Sequence, residues 1–87
     1  MKLTKEERDK IETAIRHNRT MYADRAARMI KANIGGDHKT ARAWSDACDM
    51  FDDELSGMRT VLNAIGYRIA NGKDADGNDT IIIKERG

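Results

Sequence analysis

A short stretch in the middle of the chain concentrates five carboxylates, at Asp46, Asp49, Asp52, Asp53 and Glu54. Asp49 and Asp53 stand four residues apart, so both lie on one face if the segment is helical. Carboxylates at this spacing can hold a metal ion, but no Glu-x-x-His sequence accompanies them, and a solvated helix face is the simpler interpretation. We call these five residues the acidic patch. We predict that it contacts a basic partner protein and that it is not a metal site.

Basic residues crowd the preceding segment instead, where Asp24 is the only acid between residues 16 and 31. Residues 1–36 hold nine Lys/Arg and five Asp/Glu, a balance of +4, whereas residues 37–66 hold three and six, a balance of −3. One interpretation is that these opposite charges pair between two helices and specify their packing. The other is a stripe that binds a phosphate-bearing ligand, such as a small nucleotide signal, through Arg25, Arg28 and Lys31.

The segment from Asp74 to Asp79, followed by Glu85, nearly matches a calcium-binding loop, with acidic or amide oxygens at alternate positions. It departs at Asp79, which stands where such loops have the glycine of their sharp turn. The residues after it form a β-branched run rather than an exiting helix. Because Asp, Asn and Gly also gather in ordinary turns, we predict a hairpin turn here.

Nothing in the sequence predicts catalysis. His17 and His38 lie on different segments, and neither has a cysteine or carboxylate at metal-ligand spacing beyond chance. The chain has no glycine-rich phosphate loop and no nucleophile motif. A chain of 87 residues with four aromatic side chains is also too small for a deep pocket within one copy. We therefore expect a protein that is not an enzyme and has no cofactor.

Two long helices must position these charges. Thr4 and Glu7 form a capping box that begins the first helix, and Gly35-Gly36 ends it, so we predict a helix over residues 4–34. Apolar residues recur along it at spacings of three and four, interrupted by Asn18 and Arg25. The interruptions are most simply polar residues within the helix contact that fix its register.

Asp37 is the expected cap of a second helix over residues 38–65. Its apolar residues repeat at spacings of three and four without a break, which is typical of a coiled-coil-like seam: Ala41, Trp44, Cys48, Phe51, Leu55, Met58, Leu62 and Ile65. If the glycine turn makes the helices antiparallel, both apolar stripes fall into one register, with Tyr22 opposite Phe51 and Ile11 opposite Leu62. The same register sets Arg25 against Cys48 and Asn18 against Leu55.

After Gly66 the pattern becomes extended, and we predict a β-hairpin over residues 67–85. A two-stranded hairpin is marginally stable alone, so it must lie on the helices or pair with another chain. The predicted fold is one α+β domain over residues 1–87, mainly α: an antiparallel two-helix hairpin followed by a C-terminal β-hairpin.

The composition indicates in which compartment and in which oligomeric state the protein is expected. The net charge is +1, proline is absent and Cys48 is the single cysteine, which agrees with a reducing compartment. No stretch has the apolar length of a membrane span or a signal peptide, so we expect a cytoplasmic protein without membrane contact. We also expect a homodimer or higher homo-oligomer, since apolar residues remain beside the main seam: Met21, Ala26, Ile30, Met50 and Val61.

The segment Leu62-Asn63-Ala64-Ile65-Gly66-Tyr67, followed by two short strands, resembles the end of many small accessory proteins of bacteriophages and prophages. That resemblance implies a binding protein of the anti-defence type, and it assigns no functional residue. Duplex nucleic-acid binding is not expected, because the chain is not net basic and no helix-turn-helix is visible. We therefore expect a bacterial cytoplasmic protein that binds and blocks a basic defence protein of the host. A nucleotide-sequestering oligomer and a structural assembly module are the alternatives.

Overall fold

A computed structural model describes residues 1–87 and shows two helices followed by a β-hairpin. Helix α1 spans Lys5–Ile34 and helix α2 spans His38–Ala64. Strand β1 spans Tyr67–Lys73 and pairs antiparallel with β2, which spans Asp79–Glu85. The predicted fold class, α+β and mainly α, is confirmed.

The N-terminus of α1 is fixed by the capping box. The Thr4 hydroxyl accepts from the Glu7 N–H at 3.1 Å, and the Glu7 carboxylate accepts from the Thr4 N–H at 2.9 Å. The bond from the Thr4 backbone, followed by the contact with its side chain, lowers the pKa of Glu7. Two otherwise unpaired backbone donors of the first turn are thereby satisfied.

The chain reverses between the helices at Gly36, whose φ of 79° is a left-handed conformation that glycine adopts without strain. Asp37 then begins α2, and its carboxylate accepts from the Thr40 N–H at 3.1 Å. Hydrogen bonds from the Thr40 side chain and backbone lower the pKa of Asp37. The reversal places the helices antiparallel, so that Asn18 lies near Phe51 and Tyr22 lies near Cys48.

The contact between the helices has a buried polar centre at Asn18, which is 1% exposed. Its amide donates to the Phe51 carbonyl at 2.9 Å. That carbonyl points along α2 toward Leu55. Further along the seam, the Cys48 thiol lies 4.0 Å from the Tyr22 carbonyl, which points toward Ala26. The predicted register sets Asn18 against Leu55 and Arg25 against Cys48. The observed contacts are displaced from these pairs by about one helical turn.

The hydrophobic core lies where the hairpin packs on the helix pair. It consists of side chains from the N-terminus, both helices and both strands: Leu3, Ile15, Leu55, Leu62, Tyr67 and Ile83. The Tyr67 hydroxyl accepts from the Leu3 N–H at 2.8 Å and lies 3.5 Å from a carboxylate oxygen of Glu85. Tyr67 thereby ties the start of the chain to the hairpin.

The outer edge of β2 is bonded to α1. The Ile83 N–H donates to the Glu12 carboxylate at 2.8 Å, and the Arg16 Nε donates to the Ile81 carbonyl at 3.1 Å. Two side chains one turn apart on a helix therefore satisfy backbone groups that an edge strand leaves unpaired. The hairpin lies on the helices of its own chain, one of the two arrangements that the sequence allows.

We predict that Tyr67→Phe destabilises the fold by about 1–3 kcal/mol, because it leaves the buried Leu3 N–H without an acceptor. Tyr22→Phe is the matched control, since no hydrogen bond of the Tyr22 hydroxyl occurs in the structure, and we expect a change within about 0.5 kcal/mol. Urea denaturation of both variants measures the difference. Equal stabilities of the two variants would contradict the role given to Tyr67.

We predict that the Asp37 cap makes the folding stability depend on pH in the acidic range. A carboxyl group with a lowered pKa in the folded state stabilises that state above its ordinary pKa of about 4, and this contribution is lost as the pH falls through the folded value. Asp37→Asn keeps a capping side chain but removes the titration. The wild type should therefore exceed the variant in stability at neutral pH, and the two should converge below about pH 4.

Thermal unfolding from pH 7 to pH 2 checks this dependence. Asp76→Asn is the control, since the Asp76 carboxylate lies exposed in the hairpin turn and forms no ion pair. A difference between wild type and Asp37→Asn that stays constant with pH would contradict the linkage.

Candidate partner-binding surfaces

The acidic patch divides into residues that contact α1 and residues that face away from it. All five side chains are exposed. Asp52 forms an ion pair with Arg19 at 3.1 Å, and Glu54 accepts from the Asn18 amide at 3.4 Å. Asp52 and Glu54 therefore belong partly to the contact between the helices.

The other three carboxylates, at Asp46, Asp49 and Asp53, form no ion pair within the chain. Their spacings of three and four place them on one face of α2, turned away from the buried stripe. Met50 lies among them with 72% of its surface exposed. We call Asp46, Asp49, Met50 and Asp53 the outer acidic face: it combines unpaired negative charge with a flexible apolar side chain.

The arginines of the predicted phosphate site are already paired. The Arg28 Nε donates to the Asp24 carboxylate at 3.0 Å, and Arg25 donates to the same carboxylate oxygen. Hydrogen bonds from Arg25 first and Arg28 second lower the pKa of Asp24. Both guanidinium groups also lie near the Trp44 ring, at 5.9 and 5.2 Å from its centroid. The structure brings the two arginines together, but with a carboxylate between them.

Lys31, the third residue of that predicted site, is exposed and forms no ion pair. It lies three residues beyond Arg28, at the C-terminal end of α1. A lysine in the last turn of a helix interacts favourably with the negative end of the helix dipole. Its position therefore has a local explanation.

Opposite charge on the two helices produces one ion pair between them, from Arg19 to Asp52. Arg19 also donates from its Nε to the Asn18 side-chain oxygen at 2.9 Å and lies 4.5 Å from the centroid of the Tyr22 ring. The other ion pairs of the helices lie within α1. The interpretation that the charges pair across the seam holds for this contact alone.

The hairpin turn uses its polar groups internally. One Asp74 carboxylate oxygen accepts from the N–H groups of both Asp76 and Asn78 at 2.9 Å, and Asp79 pairs with Lys73. Gly77 adopts a φ of 79° in the turn. This is the hydrogen-bonding pattern of an Asx-containing turn. No group of three or more His, Cys, Asp or Glu side chains in the chain is arranged to hold a metal ion.

The histidines and the cysteine are separated. His17 is exposed on α1, and the His38 Nδ1 lies 3.3 Å from the Asn33 side-chain oxygen. Burial, followed by the nearby charge of Asp49, raises the pKa of the Cys48 thiol. A raised pKa disfavours the thiolate, which is the nucleophilic form.

An apolar groove of ≈ 380 Å³ lies along the two helices on a side that neither strand lines. Its walls are formed by Ile11, Ala14, Gly57, Met58, Val61, Leu62 and Ile65. A Cβ atom added at Gly57 would meet no atom within 4 Å, so no contact inside the chain requires glycine there. Of the residues predicted to mediate self-association, Val61 lies in this groove, Met50 lies on the outer acidic face, and Ile30 is exposed near the turn between the helices.

The hairpin carries a basic cluster that is not among the sites expected from the sequence. Arg68 and Lys84 are exposed and stand directly opposite each other across the two strands. Arg86 extends the pairing by donating its N–H to the Gly66 carbonyl at 2.8 Å. Residues 67–87 are neutral in total, which hides this cluster. Applying the two-residue alternation of strands to the charges reveals it.

No helix of the structure has the length and apolar character needed to cross a membrane. Neither a protein-family model, nor a curated protein, nor a solved structure matches the chain.

Proposed function

We propose that this protein is a non-enzymatic inhibitor that binds a basic protein of a bacterial host and blocks it. A nucleic-acid-binding component of antiviral defence is the expected target class, following the resemblance to phage accessory proteins. The outer acidic face is the proposed contact. The observation that carries the proposal is the exposure of three carboxylates without ion-pair partners around Met50.

The chemistry of this face suits a positively charged partner. The carboxylates of Asp46, Asp49 and Asp53 lose little internal stabilisation when they bind an external base, because no base of their own chain neutralises them. Complementary charge accelerates encounter and selects the partner, while burial of an apolar side chain supplies affinity. Methionine is enriched at protein interfaces and adapts its shape to the opposing surface.

The nucleotide-binding alternative is supported less by the geometry. A phosphate group at Arg25 and Arg28 must compete with the Asp24 carboxylate, which both guanidinium groups already contact. The acidic face offers charges without such competition. We therefore place the partner at α2 rather than at the arginines of α1.

We predict that the triple variant Asp46→Asn, Asp49→Asn, Asp53→Asn loses at least about tenfold in affinity for its partner, because it removes the complementary charge. The matched control neutralises three exposed acids elsewhere: Glu6→Gln, Asp9→Asn and Asp76→Asn. Affinity capture from a bacterial lysate, with identification of the bound protein, provides the partner for calorimetric titration. Equal binding by both triple variants would remove the outer acidic face from the proposal.

Two further variants separate the apolar contribution from charge. Met50→Ala should weaken the complex, whereas Ile34→Ala, at a side chain that is 84% exposed at the end of α1, should not. A calorimetric screen of cyclic nucleotides addresses the alternative. Binding of such a nucleotide that is lost in Arg28→Ala would favour the alternative over protein inhibition.

Self-association is part of the same proposal, because exposed apolar surface remains on both helices. The apolar groove is the proposed contact with a second copy, and Val61→Asp should prevent it by placing a charge against apolar side chains. Light scattering across a concentration series measures the mass. A constant mass of 9.8 kDa for the wild type would contradict self-association.

A further inference from the structure

The two edges of the β-hairpin differ in what satisfies their backbone groups. In an antiparallel strand, the N–H and C=O of one residue point to the same edge, and alternate residues point to opposite edges. The Ile83 N–H and the Ile81 C=O bond to Glu12 and Arg16 of α1, so these groups point away from β1. At these two groups, the outer edge of β2 is therefore bonded to α1.

The register then identifies the groups on the outer edge of β1. Ile69 stands opposite Ile83, and Asn71 stands opposite Ile81. Because these are pairs that exchange no hydrogen bond across the hairpin, the backbone groups of Ile69 and Asn71 point away from β2. The sheet has two strands, and no side chain bonds to this edge. The outer edge of β1 is an open row of donors and acceptors.

The face of the hairpin turned away from the core carries positive charge beside this edge. Its paired residues are Arg68 with Lys84, Ala70 with Ile82, and Gly72 with Thr80. Like charges directly opposite each other destabilise a strand pair, and neither Arg68 nor Lys84 has an ion-pair partner. An acidic group from outside the chain would relieve that repulsion.

We propose that the outer edge of β1 binds an extended acidic segment of a partner polypeptide as a third strand. The main chain of the segment bonds to the backbone of Ile69 and Asn71. Its acidic side chains, alternating with apolar ones, face Arg68, Lys84 and Arg86. Edge pairing supplies affinity and the charges select the segment, as in other strand-addition complexes. This site is distinct from the outer acidic face.

The charges favour this occupant over a second copy of the chain. Antiparallel pairing of two β1 strands would gather three bases from each copy on one face of a four-stranded sheet, with no acid among them. A single-stranded nucleic acid is also less suited, because that face has no aromatic side chain on which bases could stack. An acidic peptide strand satisfies both the backbone groups and the charges.

Fluorescence anisotropy with two labelled eight-residue peptides tests the proposal. One alternates Glu with Val, and the other alternates Lys with Val. We expect the acidic peptide to bind and the basic one not to bind, with affinity falling as salt is added. Equal binding of the two peptides, or no binding of the acidic one up to millimolar concentration, would overturn the proposal.

Two variants separate the edge from the charge. Asn71→Pro removes an outward N–H without removing a bond to β2, and Arg68→Glu reverses a charge while creating an opposite-charge pair with Lys84. Each should weaken acidic-peptide binding by at least about tenfold, while the control Arg42→Glu, on α2, should leave it within about twofold. Circular dichroism confirms that each variant is folded, and Arg68→Glu tests the charge even if Asn71→Pro unfolds.

Three outcomes would overturn the inference. Full binding by a folded Asn71→Pro variant would show attraction to charge without edge pairing. Self-association of the wild type that Asn71→Pro abolishes would place a second copy at the edge. Binding of single-stranded oligothymidine more tightly than the acidic peptide would assign the basic face to nucleic acid.

Discussion

Burial of Tyr67 between the hairpin and the helices is the contact on which the remainder of the fold depends. Two helices alone share a narrow apolar seam, and a two-stranded hairpin alone has no second layer to cover it. The Tyr67 ring joins these incomplete layers, and its hydroxyl holds the start of the chain at Leu3. A single side chain thus connects the N-terminal segment to elements more than sixty positions later.

The charged residues of this protein are distributed unevenly among the helices and the hairpin, although the net charge of the chain is close to zero. Helix α1 pairs half of its bases with its own acids, as in the pair of Arg28 with Asp24. Helix α2 keeps three carboxylates unpaired on the side away from α1, and the hairpin keeps Arg68 and Lys84 unpaired on its outer face. A near-zero net charge therefore conceals two exposed surfaces of opposite sign.

The sequence predicts most of the helical architecture because local rules determine it. Thr4 with Glu7, and Asp37 at the second cap, need only neighbouring backbone groups, and the apolar spacing of α2 reports one continuous buried stripe. The roles of Glu12 and Arg16 could not be read in this way, because they depend on where a strand seventy residues later lies. The sequence predicts the acidic patch as one unit, whereas in the structure Asp52 contacts Arg19 and Glu54 contacts Asn18, which separates these two carboxylates from the other three. The pair of Arg68 and Lys84 is not evident from the net charge of residues 67–87, which is zero, because only the alternation of side chains between the two faces of a strand places them together.

The core is concentrated at the end of the helix pair that carries the hairpin, and this has a consequence for motion. Near Gly36 the burial in α2 is limited to small side chains such as Ala41, with the Trp44 ring half-exposed beneath two arginines. Regions with few buried apolar contacts open at lower free energy than the global transition. We therefore expect the helix ends near Gly36 to open at a lower free energy than the end that packs on the hairpin, so that local stability differs between the two ends of the 49 Å molecule.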